Sequence, residues 1–542
     1  MAPDQDGGAT AWLDRFFAAY YRRRPVNATF IGVHDYDSVL PDCSEAAAGD
    51  AVAEMASLFQ DGAALEVGQL TEPNRTDLRV ALGYLLTQLW EYRSSHGYRG
   101  NPSWYVGEAI FGVFSLLLSD FAPLAERLDR AAARLEATPA LLAQARHNVR
   151  SAPLPWTERA IRECQGALGF LRDGVTHLPN RTKRFDQAAV TAAAAFETHR
   201  HHLVTELTTR STDRFAAGEE ALALHLAEAH FLGESAEELV DQARDELARA
   251  EGRLEGRGPD QERTQGPRGR TQEVEGRTPN GVDRYREMWE EARRWAVERR
   301  LLTWPEFPIR YLARPAWARL AAPDLYFLFY RSPAAFGRPA VHDYLVPDDD
   351  PSDSAIKLNH VVHHGGIGHH VQNWHAFRAE SRIGRIAAVD CAARIALLAG
   401  GTMAEGWACY ATDLMDEAGY LTPDEQLDEI HTRRRMCARA VVDLELHRGR
   451  MTYHEAVQFY QSRAGMPANA AAAEVTKNSM FPGGAVMYLA GQDAIHRLRR
   501  DLSARLGARF DLAAFHDQFL SFGSLPVALI AERMRRGAGL QT

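Results

Sequence analysis

Residues 359–375 read NHVVHHGGIGHHVQNWH and place His360, His363, His364, His369, His370 and His375 within sixteen residues. The chain holds 21 histidines, so more than a quarter of them fall in this one stretch. Imidazole is the commonest side-chain ligand for transition metals, and clustered histidines with a carboxylate supplied from elsewhere are what a zinc or iron site requires. A solvated, hydrogen-bonded polar helix is the competing reading of the same residues. Spacing sharpens the question. On a regular helix His363 and His369 point about 240° apart, while His363 and His370 share a face but are separated by roughly 10 Å of rise. Neither pair grips one ion unless the backbone is interrupted. Gly365, Gly366 and Gly368 supply that interruption, because glycine is a poor helix former and tolerates a local turn or bulge. His360 and His364 form a rival pair, with the undistorted i, i+4 spacing of helical zinc sites.

Outward from this stretch the periodicity is helical. Helices are expected over Lys357 to Phe377, Arg382 to Ala418, Pro423 to His447, Tyr453 to Ala464 and Pro482 to Leu506, with Gly419 and Gly465 as helix ends. Upstream, Tyr285 to Leu302 reads as an amphipathic helix. Phe307 to Pro347 is rich in proline and aromatics, so any sheet belongs there. The first 250 or so residues also read as helix, as in Phe121 to Arg150 and Ala188 to Thr209. Between them, EGRLEGRGPDQERTQGPRGRTQEVEGRTPN from Glu251 to Asn280 has almost no apolar residue and describes a solvated loop. The expected organisation is a helical region over 1–257, a flexible loop or hinge over 258–281, and a helical region over 282–542 that carries the chemistry.

Composition bounds the function. At 542 residues, 46% hydrophobic and 25% charged, the chain can build a large core and is unlike a disordered protein. Lysine and arginine total 62 against 72 acidic residues, a net charge of −10 with no dense basic block, which disfavours a nucleic-acid partner. Cys43, Cys164, Cys391, Cys409 and Cys437 are scattered with no C-x-x-C pair and read as reduced structural thiols. The N-terminus lacks a basic and apolar leader, and the longest apolar run, Ala109 to Leu118, is too short to span a bilayer. A cytoplasmic protein with no membrane partner is expected. No phosphate-cradling glycine loop, dinucleotide fingerprint or G-x-S-x-G elbow occurs.

Several segments together resemble a bacterial family catalogued as domain of unknown function 885, grouped with the zincin-like metallopeptidases, and the resemblance covers nearly the whole chain. FFAAYYRRRPVNATFIGVHDYDSVLPDCS resembles its opening helix and loop. The H-E-x-x-P-G-H-H-x-Q pattern falls on His363 to Gln372, and E-G-W-A-x-Y on Glu405 to Tyr410. The R-x-x-x-D-x-x-x-H element falls on Arg439, Asp443 and His447, and the E-V and P-G pairs on Glu474, Val475, Pro482 and Gly483. Tyr488, Gly491 and Arg497 match the next helix, and FDLAAFHDQFLSFGSLPVAL the C-terminal signature.

The resemblance implies a mostly α, zincin-like fold with a deep cleft and little β-structure. It implies a divalent metal, zinc by preference, held by His363, His369 and Glu405, with a position left open for water or substrate. His370 and His360 stand as additional ligands or supporting residues, Tyr488 as the group that polarises a developing oxyanion, and Arg439 or Arg497 as binders of a substrate carboxylate. Ion pairing, with Asp443 as the partner of Arg439, is the alternative for these arginines. The departures are specific. The family's general-base glutamate is His364 here, its proline is Ile367, the glutamine after P-G is Gly484, the glutamate two residues past E-G-W-A-x-Y is Thr412, and its R-Y is Lys477 and Asn478. Imidazole accepts a proton but leaves the site one unit more positive than carboxylate does. The expected function is a metal-dependent hydrolase of the zincin peptidase type acting on a short peptide or amide, with His364 as substitute base. The alternative is a catalytically silent peptide- or small-molecule-binding relative, or a metal enzyme with non-hydrolytic chemistry.

Overall fold

The computed structural model describes residues 5–255, 281–321, 330–337, 339–392 and 394–540. Helix accounts for 70% of the structure and strand for 3%, which makes the protein mostly α as expected. The loop expected over 258–281 lies outside the described residues except for Gly281, which opens a helix.

The chain forms two compact units. The first comprises 1–217, 314–340 and 380–399. Its long helices include Leu124–Asn148 and Lys183–His202, the latter continued by a π-helical turn over Leu203–Leu207. Fully buried Trp156, Phe114, Phe170 and Phe185 fill its interior.

The second unit comprises 218–313, 341–379 and 400–542 and contains the histidine stretch. The sheet expected between Phe307 and Pro347 is a parallel pair, Ile309–Ala313 beside His342–Val346, with Ile309 opposite His342. Helices Pro423–His447 and Tyr453–Ala464 begin and end where the sequence predicts. Local chemistry sets those limits: Thr422 with Glu425, and Thr452 with Glu455, form capping boxes, proline occupies the first turn of the longer helix, and Gly465 ends the shorter one in a left-handed conformation (φ 66°). A helix over Ala468–Met480 precedes one over Met487–Leu506.

Three expected helices differ: Lys357 to Phe377 is broken at Gly366 to Gly368, Pro482 to Leu506 begins only at Met487, and Arg382 to Ala418 departs most. Arg382 to Ala418 is not a continuous helix: a short turn over Arg382–Ile386 gives way to irregular chain with an antiparallel bridge between Asp390 and Ile395, and helix resumes only over Gly401–Glu417. Tertiary bonds outweigh helical periodicity there. The Asp390 carboxylate accepts from the Ser332 backbone N–H (2.8 Å), and the Ser332 hydroxyl accepts from the Asp390 N–H (2.7 Å).

The Glu405 helix (Gly401–Glu417) and the Tyr488 helix (Met487–Leu506) pack at backbone distance. A Cβ on Gly406 would stand 2.6 Å from the Gly491 Cα, and one on Gly491 would overlap the Thr402 carbonyl oxygen. Only glycine at both positions allows this approach. Trp407, fully buried on the same helix, lies beside Phe519 and His516.

Candidate metal centre

The histidine stretch is not a regular helix. Ser352 caps one α turn over Asp353–Ala355, and Ile356–Gly365 then continues as a π-helix, the wider form that recurs at functional sites. Gly366 to Gly368 break the chain, and a new helix starts at His369. The interruption anticipated from the glycines is therefore present. A Cβ on Gly368 would collide with the His363 carbonyl oxygen, so the chain folds back this tightly only with glycine there. Two indoles hold the break: Trp289 Nε1 donates to the Gly365 carbonyl (2.7 Å) and Trp407 Nε1 to the Ile367 carbonyl (2.9 Å).

This fold-back brings His363 and His369 to one point, and the Glu405 helix supplies the carboxylate. Glu405 Oε2 stands 3.6 Å from Nε2 of His363 and 3.6 Å from Nε2 of His369. Donor atoms about 2.1 Å from a tetrahedral ion lie about 3.4 Å from one another, so the spacing suits a zinc-sized cation. His364 joins them. Ligand atoms of His363, His364 and His369 all lie within 4.8 Å of one another, and the three ring centroids are separated by 4.7, 4.9 and 5.2 Å. His364 Nδ1 donates to the Asn359 carbonyl (2.7 Å), so its Nε2 carries the lone pair. The His363, His369 and Glu405 side chains keep 15%, 12% and 20% exposure, so small solutes reach the cluster.

The electrostatics favour cation binding. Burial lowers the pKa of His363, partly offset by Glu405. Burial, with the neighbouring His363 and His369, pushes His364 well below the ordinary value. Both shifts disfavour the protonated ring, the form that cannot ligate a cation. Burial works to raise the Glu405 carboxyl, but His363 and His369 override it and hold the group ionised, well below the usual carboxylate range.

The other candidate residues lie elsewhere. His370 is fully buried, donates Nε2 to the Phe307 carbonyl (2.7 Å) and stacks on the Phe307 ring. His360 accepts on Nδ1 from the Tyr344 hydroxyl (2.7 Å) within a buried aromatic group that includes Tyr285. The rival pair is thus split, with His364 in the centre and His360 outside it. Arg439 is held by both Glu474 carboxylate oxygens (2.7 and 2.9 Å), and its guanidinium lies 5.3 Å from the Tyr488 ring. Arg497 pairs with Glu234 at 3.2 Å.

Asp443 is not the partner of Arg439. It accepts backbone N–H bonds from Gly483 (3.0 Å), Ala485 (2.7 Å) and Val486 (3.1 Å), which ties down the turn leading into the Tyr488 helix. His447 Nε2 donates to the Asn478 carbonyl (3.0 Å). The sequence reading missed the roles of Glu474, Trp289 and the Asn359 carbonyl. Glu474 stood in a matched motif without an assigned partner, whereas a backbone carbonyl leaves no trace in the residue pattern.

The class defined by this fold and site is a large helical protein with an imidazole and carboxylate cluster gathered around a glycine break. The chain belongs to the family described as "Bacterial protein of unknown function (DUF885)", which matches residues 25–534. Two solved structures share the fold. A "putative lipoprotein of unknown function" from Shewanella oneidensis is 21% identical, with a TM-score of 0.73 over 97% of this chain and 99% of its own. A "putative lipoprotein" from Colwellia psychrerythraea is 18% identical, with a TM-score of 0.74 over 99% of this chain and 100% of its own. No curated protein matches the chain. The lipoprotein description of both neighbours overturns the cytoplasmic location expected from the sequence. Among the described residues no helix is long and apolar enough to cross a membrane.

Proposed function

We propose that this chain is a divalent-metal-dependent hydrolase of the zincin peptidase type, acting on a short peptide or amide. The observation that carries the reading is the convergence of His363, His369 and Glu405, with one carboxylate oxygen 3.6 Å from each of the two imidazole nitrogens. Two imidazoles and a carboxylate are a hydrolytic zinc ligand set, and such an ion supplies Lewis acidity that polarises a carbonyl and acidifies water. The chain's own groups do the rest. His363 and His369 present Nε2 as donors, and Glu405 balances charge. His364, with Nδ1–H committed to the Asn359 carbonyl, offers Nε2 to accept the proton of the attacking water. Tyr488, on the helix packed against the Glu405 helix, polarises the oxyanion that develops at the substrate carbonyl. The test is hydrolysis of a mixed short-peptide library by protein as purified, after chelation, and after zinc is restored. Loss and recovery support the reading; cleavage that ignores the chelator, or no cleavage by zinc-loaded protein, defeats it.

A second reading is favoured by the near-equilateral packing of the three imidazoles. In it His364 would hold the ion together with His363, His369 and Glu405, and the ion would supply non-hydrolytic chemistry. Substituting His364 by glutamate separates the two. A base is restored in the first reading, so cleavage rises; an imidazole ligand is lost in the second, so metal affinity and spectrum change.

A further inference from the structure

A cavity of about 410 Å³ opens in the first unit, lined by residues between Arg22 and Trp104. Its size is that of a small-molecule site, for which about 300–1,000 Å³ is usual. Local sequence builds the walls. The helix Gln5–Arg23 ends in Arg22 and Arg23, and Arg24 is the residue before the helix Pro25–Ile31. The helix Glu45–Ala63 brings Ala47, Ala48 and Ala51 to the cavity, and side chains this short leave the space open. The chain after the helix Glu72–Glu91 supplies Tyr92 and Tyr98, whose ring centroids are 5.4 Å apart. Two bonds hold that loop: Arg99 Nε donates to the Tyr92 carbonyl (3.0 Å) and the Tyr105 hydroxyl to the Tyr98 carbonyl (2.8 Å). Trp104 completes the aromatic wall, with the Arg24 guanidinium 5.7 Å from its ring.

The walls carry more positive than negative charge where they are least exposed. Arg22 and Arg23 share the carboxylate of Glu54, Arg22 at 2.7 Å from each oxygen. Arg24 (3.2 Å) and Arg394 (2.6 and 2.5 Å) share that of Glu91. Asp42 and Asp50, the other acidic residues of the lining, are exposed, and Asp42 already accepts from the Ser44 N–H (2.9 Å) and the Gln144 amide (2.8 Å). Arg24 is 8% exposed, and both hydrogen bonds of its guanidinium leave from Nη2, to Gln88 (2.7 Å) and Glu91 (3.2 Å). Its Nε and Nη1 have no acceptor among the described residues, yet neither is sealed from solvent, which leaves them open to an acceptor in the cavity. One largely buried guanidinium with donors to spare suits a monoanion. Rings and methyl groups around it suit a flat apolar body, and the three arginines repel a cation.

We infer that this cavity binds a small aromatic carboxylic acid, with the carboxylate on Arg24 and the ring against Tyr92, Tyr98 and Trp104. The site shares no residue with the histidine and Glu405 cluster, and the inference does not depend on the hydrolase reading.

Calorimetry on the full chain compares phenylacetate with its uncharged amide, phenylacetamide, and with cyclohexylacetate, which keeps the charge and loses the aromatic ring. Each titration is run with and without EDTA, which separates this site from ligation of a metal. Wild type should prefer phenylacetate over the amide by roughly ten- to a hundredfold, the range for a charge-assisted hydrogen bond. It should prefer phenylacetate over cyclohexylacetate by roughly two- to tenfold, the worth of aromatic contacts. In R24Q the preference for the acid should vanish while the amide still binds; Glu91 keeps Arg394 and Gln88 as partners, so no buried carboxylate is left alone. A47L, at a half-buried helical position of the lining, should block all three probes without lowering the melting temperature. No binding of phenylacetate by wild type, equal binding of acid and amide, or equal binding of the two acids overturns the inference whatever the variants do. So does phenylacetate binding that survives unchanged in folded A47L or R24Q, or that disappears with EDTA.

Discussion

Replacing Gly406 by alanine tests how the carboxylate is placed. The added Cβ would lie 2.6 Å from the Gly491 Cα and 2.9 Å from the Gln492 backbone nitrogen, where ordinary contacts begin at 3.4 Å. The obstacle is backbone, not the end of a flexible side chain, so the Glu405 and Tyr488 helices must separate by close to 1 Å. Overpacking of this kind costs about 1–3 kcal/mol. The better helix propensity of alanine returns up to about 1 kcal/mol, leaving a net loss of about 1–2 kcal/mol. Glu405 is the adjacent residue, so the same movement draws Oε2 away from the two imidazoles. Metal affinity should fall roughly ten- to a hundredfold, the range for disturbing a group that positions a ligand. Urea unfolding gives the first quantity and zinc titration the second. Gly107→Ala is the control, because a Cβ there meets nothing within 4 Å on a helix, and it should stabilise by up to about 1 kcal/mol. A Gly406→Ala protein as stable as wild type, with unchanged zinc affinity, would refute the close-packing argument.

Further outcomes follow from the same geometry. Arg439→Gln should destabilise by about 1–3 kcal/mol in urea, because it leaves the largely buried Glu474 carboxylate unpaired; a neutral result would mean that the pair adds nothing to folding. Asp443 is fully buried, and burial raises its pKa from 3.8 to about 7 despite three backbone N–H donors. A raised carboxyl favours the folded state while protonated, so relative to Asp443→Asn the wild type should lose stability as pH rises from about 4 through 7, by about 4 kcal/mol in total. A pH-independent difference between the two proteins would contradict that assignment. His364→Glu should retain zinc and raise peptide cleavage, read by initial rates at fixed metal content; retained zinc with no rise counts against a missing base.

Much of the second unit was legible because its helix ends carry their own chemistry. Thr422 with Glu425, Thr452 with Glu455, and Gly465 mark boundaries by side-chain caps and a left-handed glycine, and these need no tertiary context. The segment from Ala387 to Gly400 was misread for the opposite reason. Its alanine- and leucine-rich periodicity is helical, but bonds between Asp390 and Ser332, remote in sequence, decide its shape. The metal cluster was legible in part. Three glycines announced a break between His363 and His369, and the family resemblance supplied Glu405 as the third member. The orientation of His364 hangs on the Asn359 carbonyl, and the pairing of Arg439 on Glu474, which reaches it where Asp443 does not. Neither follows from residue type or spacing.

The most direct measurement is calorimetric titration of zinc into metal-free wild-type protein alongside the His363→Ala and Glu405→Gln variants, with each protein's fold checked by circular dichroism. If the two imidazoles and the carboxylate share one cation, wild type takes up one ion per chain and each folded variant binds it at least tenfold more weakly. Absence of stoichiometric uptake by wild type, or equal affinity in folded variants, would contradict a shared cation and leave the cluster as a hydrogen-bonded polar core.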